Sequence, residues 1–219
     1  MAGAESGWHF SQILVITMQP SNFRLATDIL GALICGGHST RFGSDKRVYR
    51  VGEKSLFEIS HENLNKVCHD VVCVFRDNVP HCFQKYNFIH DDLEAKGPVA
   101  GILSALSFSK KPYVLTLPCD MPSMSKDILY ELCRHKSLDK ISVAYSQRLE
   151  PLVAVYPKAF YEKLKRYTVE ESFSLERFIN ALSSGEKRLI HHDKALSFKF
   201  TNLNKRPIVA PFYENWRLY

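Results

Sequence analysis

An apolar run from Ile29 to Cys35 stops at two adjacent glycines, Gly36 and Gly37, and within ten residues the chain has placed Arg41 and Lys46 beyond them. A buried strand emptying into a Gly-rich, cationic loop is the feature that most restricts the fold. Glycines without a Cβ let backbone amides approach a phosphate chain closely. Ser39, Thr40 and Ser44 add hydroxyl donors, Arg41 a guanidinium fork and Lys46 a compact charge, a set suited to a triphosphate.

Two phosphate signatures are excluded. A Walker loop needs Lys-Ser/Thr directly after its second glycine, but Gly43 is followed by Ser44 and Asp45 before Lys46. No G-x-G-x-x-G follows the strand, so the dinucleotide fingerprint fails as well.

Further along, strand and helix signals alternate. Ser55 with Glu58 reads as a capping box opening a helix over 56–67, and His69–Phe75 as a strand. Residues 79–86 read as a short helix, 86–90 as a strand, and Pro98 as the first turn of a helix to Phe108. Tyr113–Leu117 is a fully apolar strand ending in Pro118-Cys119-Asp120-Met121-Pro122. A helix from Ser125 to His135, strands at 141–145 and 152–156, helices at 157–167 and 172–182, and a closing strand at 197–203 follow. Lys46–Lys54 reads as a short strand or extended loop with a cationic edge. The pattern predicts an α/β fold, a three-layer α/β/α Rossmann-like arrangement on a mostly parallel sheet. Such a sheet brings the glycine loop and the strand-end Asp120 to one edge, where open α/β sheets bind ligands.

At 219 residues the chain is expected to form a single domain over 28–219, with 1–27 an N-terminal appendage and Met18 an alternative start to Met1. Hydrophobic content of 45% and charged content of 24% are those of a globular protein. A net charge of +6 suits anionic small ligands, and no basic stripe interleaved with aromatics argues for nucleic acid. No membrane segment and no secretory leader is read, so a cytoplasmic, monomeric protein with reduced thiols is expected. The spacing of Cys68, His69, Cys73, His81, Cys82 and His90 matches no structural zinc pattern.

The loop 33–46 resembles the signature of nucleotidyltransferases with a GT-A type fold, and its double glycine and Asp45-Lys46 ending look most like molybdenum cofactor guanylyltransferase. The resemblance extends through Gly97-Pro98-Val99-Ala100-Gly101-Ile102, Pro118–Pro122, Glu150-Pro151-Leu152-Val153-Ala154 and Phe200-Thr201-Asn202-Leu203-Asn204. It implies that GTP is held by Leu33, Ile34, Cys35, Gly36, Gly37, Lys46, Asp91, Gly97, Gly101 and Asp120, with Asp92 the alternative to Asp91. Lys46, Arg41 and Asp120 are then catalytic, Asp120 the ligand of Mg2+, and Asn202 and Asn204 the pterin contacts. The implied reaction passes GMP from GTP to the phosphate of molybdopterin, releasing pyrophosphate and handing the product to molybdoenzyme-insertion proteins.

Two positions depart from that family. Its asparagine after the first helix is replaced within Cys73-Val74-Phe75-Arg76, and its Asn-Thr-Pro ending by Asn204-Lys205-Arg206-Pro207. Two other functions fit the same residues: a CTP-dependent cytidylyltransferase acting on molybdopterin or on a sugar or polyol phosphate, and a nucleotide-binding regulatory protein without turnover. Cytidylyl relatives tend to carry alanine before a single glycine, unlike Gly36-Gly37. A pure binder has little need of both Lys46 and Asp120.

Overall fold

The computed structural model describes residues 25–36, 45–91, 96–170 and 173–203. Seven strands form one sheet in the order β5-β4-β1-β6-β8-β7-β9: β1 Ala26–Ile34, β4 Cys68–Phe75, β5 Phe88–His90, β6 Tyr113–Pro118, β7 Ile141–Ser146, β8 Arg148–Pro157 and β9 Lys187–His191. Only β8 runs against its neighbours, because Gln147, with φ of 63°, reverses the chain directly from β7. A small hairpin of β2 (Arg50–Val51) and β3 (Lys54–Ser55) turns at Gly52, whose φ is 65°.

The period of two along β1 sends successive side chains to opposite faces. Ile29, Leu33 and Cys35 pack under α1 (Leu56–Asn65) and α3 (Lys126–Arg134), while Leu30, Ala32 and Ile34 pack under α2 (Pro98–Phe108), α4 (Tyr161–Glu170) and α5 (Leu175–Ala181). The three layers follow from that split. The capping box forms as expected: Glu58 N donates to Ser55 Oγ at 3.2 Å and Ser55 N to Glu58 Oε2 at 2.8 Å, a device worth about 1 kcal/mol.

Three local expectations are corrected. Residues 79–86 hold only a 3-10 turn at His81–Phe83, because Phe83 drops into an aromatic cluster, its ring 4.0 Å from that of Phe57. The closing segment is a 3-10 helix, Lys194–Phe200, started by Asp193, whose carboxylate accepts from Ala195 N at 2.7 Å. In a strand Phe198 and Phe200 would share one face, but Phe198 is exposed and Phe200 buried. Lys46–Val48 is likewise a 3-10 turn, and Arg47 is not part of a cationic edge: it is buried.

Candidate active site

The carboxyl ends of β1, β4, β5 and β6 meet at one rim, and hydrogen bonds fix them there. Cys35 N donates to Val74 O at 2.8 Å, Cys119 N to Ile34 O at 3.2 Å, and Asp91 N to Phe75 O at 2.6 Å. Between this rim and the first turn of α2 lies a cleft of about 580 Å³, lined by Ile34, Gly36, Val74, Arg76, Asp77, Asp91, Lys96, Gly97, Pro98 and Gly101.

α2 can lie so close because of two glycines. Gly97 holds φ at +71°, a backbone conformation that a side chain disfavours. A Cβ on Gly101 would stand 3.2 Å from Ile34 Cγ2, so the absence of one lets the helix rest directly on β1.

The turn that carries Asp120 is held by α1 on either side of it and by Leu203 at Asp120 itself. Ser60 Oγ of α1 donates to Cys119 O at 3.3 Å, Asn63 Nδ2 to Met124 O at 2.8 Å, and Leu203 N to Asp120 O at 2.9 Å. Its carboxylate is reached by the returning end of the glycine loop: Lys46 Nζ donates to Asp120 Oδ2 at 2.5 Å, both side chains largely buried. The sequence-derived pair is therefore in contact across 74 residues.

Lys46 is positioned by its neighbours, which sequence reasoning missed. Arg47 Nε donates to Asp45 Oδ1 at 2.8 Å and Nη2 to Asp45 Oδ2 at 2.8 Å, while Nη1 donates to Asp77 Oδ1 at 2.7 Å and the guanidinium carbon lies over the Phe75 ring. Burial opposes charge on both Asp45 and Arg47. Their hydrogen bonds and mutual attraction outweigh it, holding the Asp45 carboxyl below its usual value and the guanidinium above. The only sequence signal was the adjacency of Asp45, Lys46 and Arg47.

Asp91 is buried at the cleft, accepts from Ser104 Oγ at 3.4 Å and faces Arg76 Nη1 at 3.7 Å. Leu33 and Cys35 are buried, so only their backbone can meet a ligand at this rim, whereas Ile34 lines the cleft. Burial, reinforced by Cys119, pushes the Cys35 thiol well above its usual pKa, and burial takes Cys73 up to about 12. Neither is a thiolate at neutral pH. Gly37, Arg41, Asp92 and Asn204 lie outside the described residues.

On the far side of Asp120, Asn202 Oδ1, Ser146 Oγ and His192 Nε2 are buried with no hydrogen-bond partner among the described residues. His192 N donates to Tyr145 O at 3.0 Å, so Ser146 and His192 leave adjacent strands at the same sheet edge. Unpartnered buried polar atoms are unusual and mark places where a ligand or water completes the bonding. Glu150, also buried, accepts from Arg148 Nε at 2.8 Å; burial raises its pKa despite that partner.

A cleft with apolar walls and bordering glycines, with a lysine and a carboxylate in contact on the same rim, suits a nucleoside triphosphate. The family model of the MobA-like NTP transferase domain matches residues 31–187, which includes the cleft lining, Lys46 and Asp120 and leaves out His192 and Asn202. The chain belongs to this family. A probable molybdenum cofactor guanylyltransferase of Geobacillus is 31% identical over 62% of this chain and 73% of its own length. Another, of Aquifex aeolicus, is 27% identical over 80% of this chain and 85% of its own. A crystal structure of an Aquifex aeolicus protein superposes with a TM-score of 0.69 at 24% identity, covering 82% of this chain and 95% of that one. It bears on the fold alone, and agrees with the three layers described above.

Metal chemistry in the family's sense fits the donor set. Asp120 offers one carboxylate on the same rim, and no group of three His, Cys, Asp or Glu side chains capable of holding a metal occurs among the described residues. One carboxylate is what Mg2+ requires when phosphates and water supply its other oxygens.

Proposed function

We propose that the protein is a molybdenum cofactor guanylyltransferase: it transfers GMP from GTP to the phosphate of molybdopterin and releases pyrophosphate. The observation that carries this reading is the contact of Lys46 with Asp120 on the sheet rim to which the cleft-lining Ile34 also belongs, in a chain of the MobA-like family. The names of its curated relatives supply the acceptor and the base.

In this reading the backbone at 33–37 and Arg41 receive the triphosphate, Asp91, Gly97 and Gly101 border the guanosine, and Asn202 and Asn204 receive the pterin. Asn202 suits that role because its buried Oδ1 is an unmatched acceptor and the next residue is tied to Asp120. Mg2+ on Asp120 would draw charge from the phosphates. Lys46, released from the carboxylate by the bound nucleotide, places its ammonium on the phosphate oxygens where negative charge grows. An oxygen of the molybdopterin phosphate attacks the α-phosphorus, a P–O bond forms there, and the bond to the β-phosphate breaks with pyrophosphate leaving. No side-chain nucleophile enters the sequence of events, and the thiols of Cys35 and Cys73, next in sequence to the cleft-lining Ile34 and Val74, are held protonated by burial.

We further read the chain as one catalytic domain from residue 28, monomeric and cytoplasmic, passing its product to insertion proteins. Among the described residues no helix is long and apolar enough to cross a membrane. The deciding experiment incubates the full chain with molybdopterin, Mg2+ and either GTP or CTP, and follows pyrophosphate and the dinucleotide product by mass. GTP-dependent product is the expected result. Preference for CTP, or nucleotide binding without pyrophosphate release, overturns it.

A further inference from the structure

Arg76 has no part in phosphate or metal chemistry as described, yet it lines the cleft. It is the first residue beyond β4, as Asp91 is beyond β5, and the Asp91 N to Phe75 O bond sets the two side by side. Asp91 is 5% exposed at its side chain and Arg76 37%, with 3.7 Å between Nη1 and Oδ2. At those two atoms the contact is ionic and too long for a hydrogen bond. Ile34, Val74 and Pro98 give the cleft apolar lining, Gly97 has open space where a side chain would be, and Gly36 lies against Arg76, whose Cβ is 3.6 Å from where a Cβ on that glycine would stand. A cleft with apolar walls that carries a donor fork beside an acceptor suits a ring with donors and acceptors along its edge.

We propose that Arg76 selects the nucleobase, its guanidinium donating to O6 and N7 of guanine while Asp91 accepts from N1–H and the 2-amino group. A fork onto O6 and N7 is the ordinary way arginine recognises guanine. The spacing of the two side chains suits neighbouring groups on one base edge. Adenine places an amine where the guanidinium needs an acceptor. Cytosine has no N7 and gives the carboxylate a single amine. Arg76 thereby makes good the polar contact that the residue pattern of this strand otherwise lacks.

The proposal rests on guanylyl transfer, and the test separates the two. Equilibrium binding of GTP, 7-deaza-GTP and CTP to the full chain is measured with Mg2+ for the native protein, Arg76→Ala and Arg76→Lys. The native protein is expected to bind GTP about tenfold more tightly than 7-deaza-GTP, the scale of part of a bidentate contact. Both variants are expected to bind GTP more weakly and to lose that ratio, the two nucleotides becoming equivalent within about twofold. Arg76→Lys keeps the charge against Asp91, so a fold lost only in Arg76→Ala leaves the test standing. A native protein indifferent to N7, or variants that keep the tenfold ratio, overturn the role of Arg76 while leaving guanylyl transfer intact. Tighter binding of CTP than GTP by the native protein overturns both.

Discussion

Lys46 Nζ lies 2.5 Å from Asp120 Oδ2, so the cation proposed for phosphate and the carboxylate proposed for metal neutralise each other. One charge therefore competes with the other's ligand. Removing the cation should act in opposite directions on the two ligands. Lys46→Met is expected to bind Mn2+ more tightly than the native protein when no nucleotide is present, as read by electron paramagnetic resonance. The same variant is expected to bind GTP more weakly and to turn over about 10²-fold more slowly. Weaker Mn2+ binding in Lys46→Met shows that the ammonium does not compete for that carboxylate. Asp120→Ala is expected to abolish the metal signal.

Arg47 ties two pieces of chain together: Asp45 at the exit of the glycine loop, and the end of β4, where it meets both the Phe75 ring and Asp77. Truncation leaves a buried gap and two uncompensated carboxylates. Arg47→Ala is expected to cost about 2 kcal/mol in denaturant unfolding, below the ~3–5 for a wholly buried pair because both carboxylates reach solvent. Activity should fall further than stability, since Lys46 lies between Asp45 and Arg47. Arg47→Lys should not restore it, as an ammonium cannot bridge both carboxylates with a planar fork.

The same pair gives a pH dependence with a definite sign. Asp45 has a lower pKa in the folded protein than in the unfolded chain, so the folded state releases its proton more readily. Its stabilisation is complete above the unfolded value, about 3.9, and is lost as pH falls through the folded value. Thermal melts of the native protein and Asp45→Asn should differ at neutral pH and converge as the pH drops below about 4. A gap that widens on acidification contradicts the ion pair.

What the residues revealed in advance, and what they withheld, follows from the range of the forces involved. β1, β6 and the helix at Pro98 were legible because their signals are local: an apolar run, a glycine stop, a proline at the first turn. The meeting of Lys46 with Asp120 was legible because a parallel sheet forces both to the same rim. β9, Lys187–His191, was not, because an edge strand with two leading cations carries little apolar alternation of its own and owes its form to pairing with β7. Arg47 and Arg76 were hidden for another reason. A charged side chain reads as surface until its partners are known, and Asp45, Asp77 and Asp91 come from loops that only the fold brings together.

Gly101 gives the most direct test of how tightly the cleft is set. A methyl there would lie 3.2 Å from Ile34 Cγ2 and 3.5 Å from its Cδ1, both on β1 in the layer that carries α2. Ile34 is itself 3% exposed and has little room to turn away. The helix must therefore lift, carrying Gly97 and Pro98 with it and changing the wall against which a base would lie. Gly101→Ala is expected to lose about 1 kcal/mol, the lower range for overpacking, because alanine recovers some helix propensity. Gly101→Val adds two methyl groups at the same contact and should lose more. GTP binding should weaken in both in the order of side-chain size, while Mn2+ binding at Asp120 in the absence of nucleotide stays as in the native protein. Equal weakening of both ligands would mean the whole rim has shifted, and would remove the assignment of this wall to the nucleoside alone.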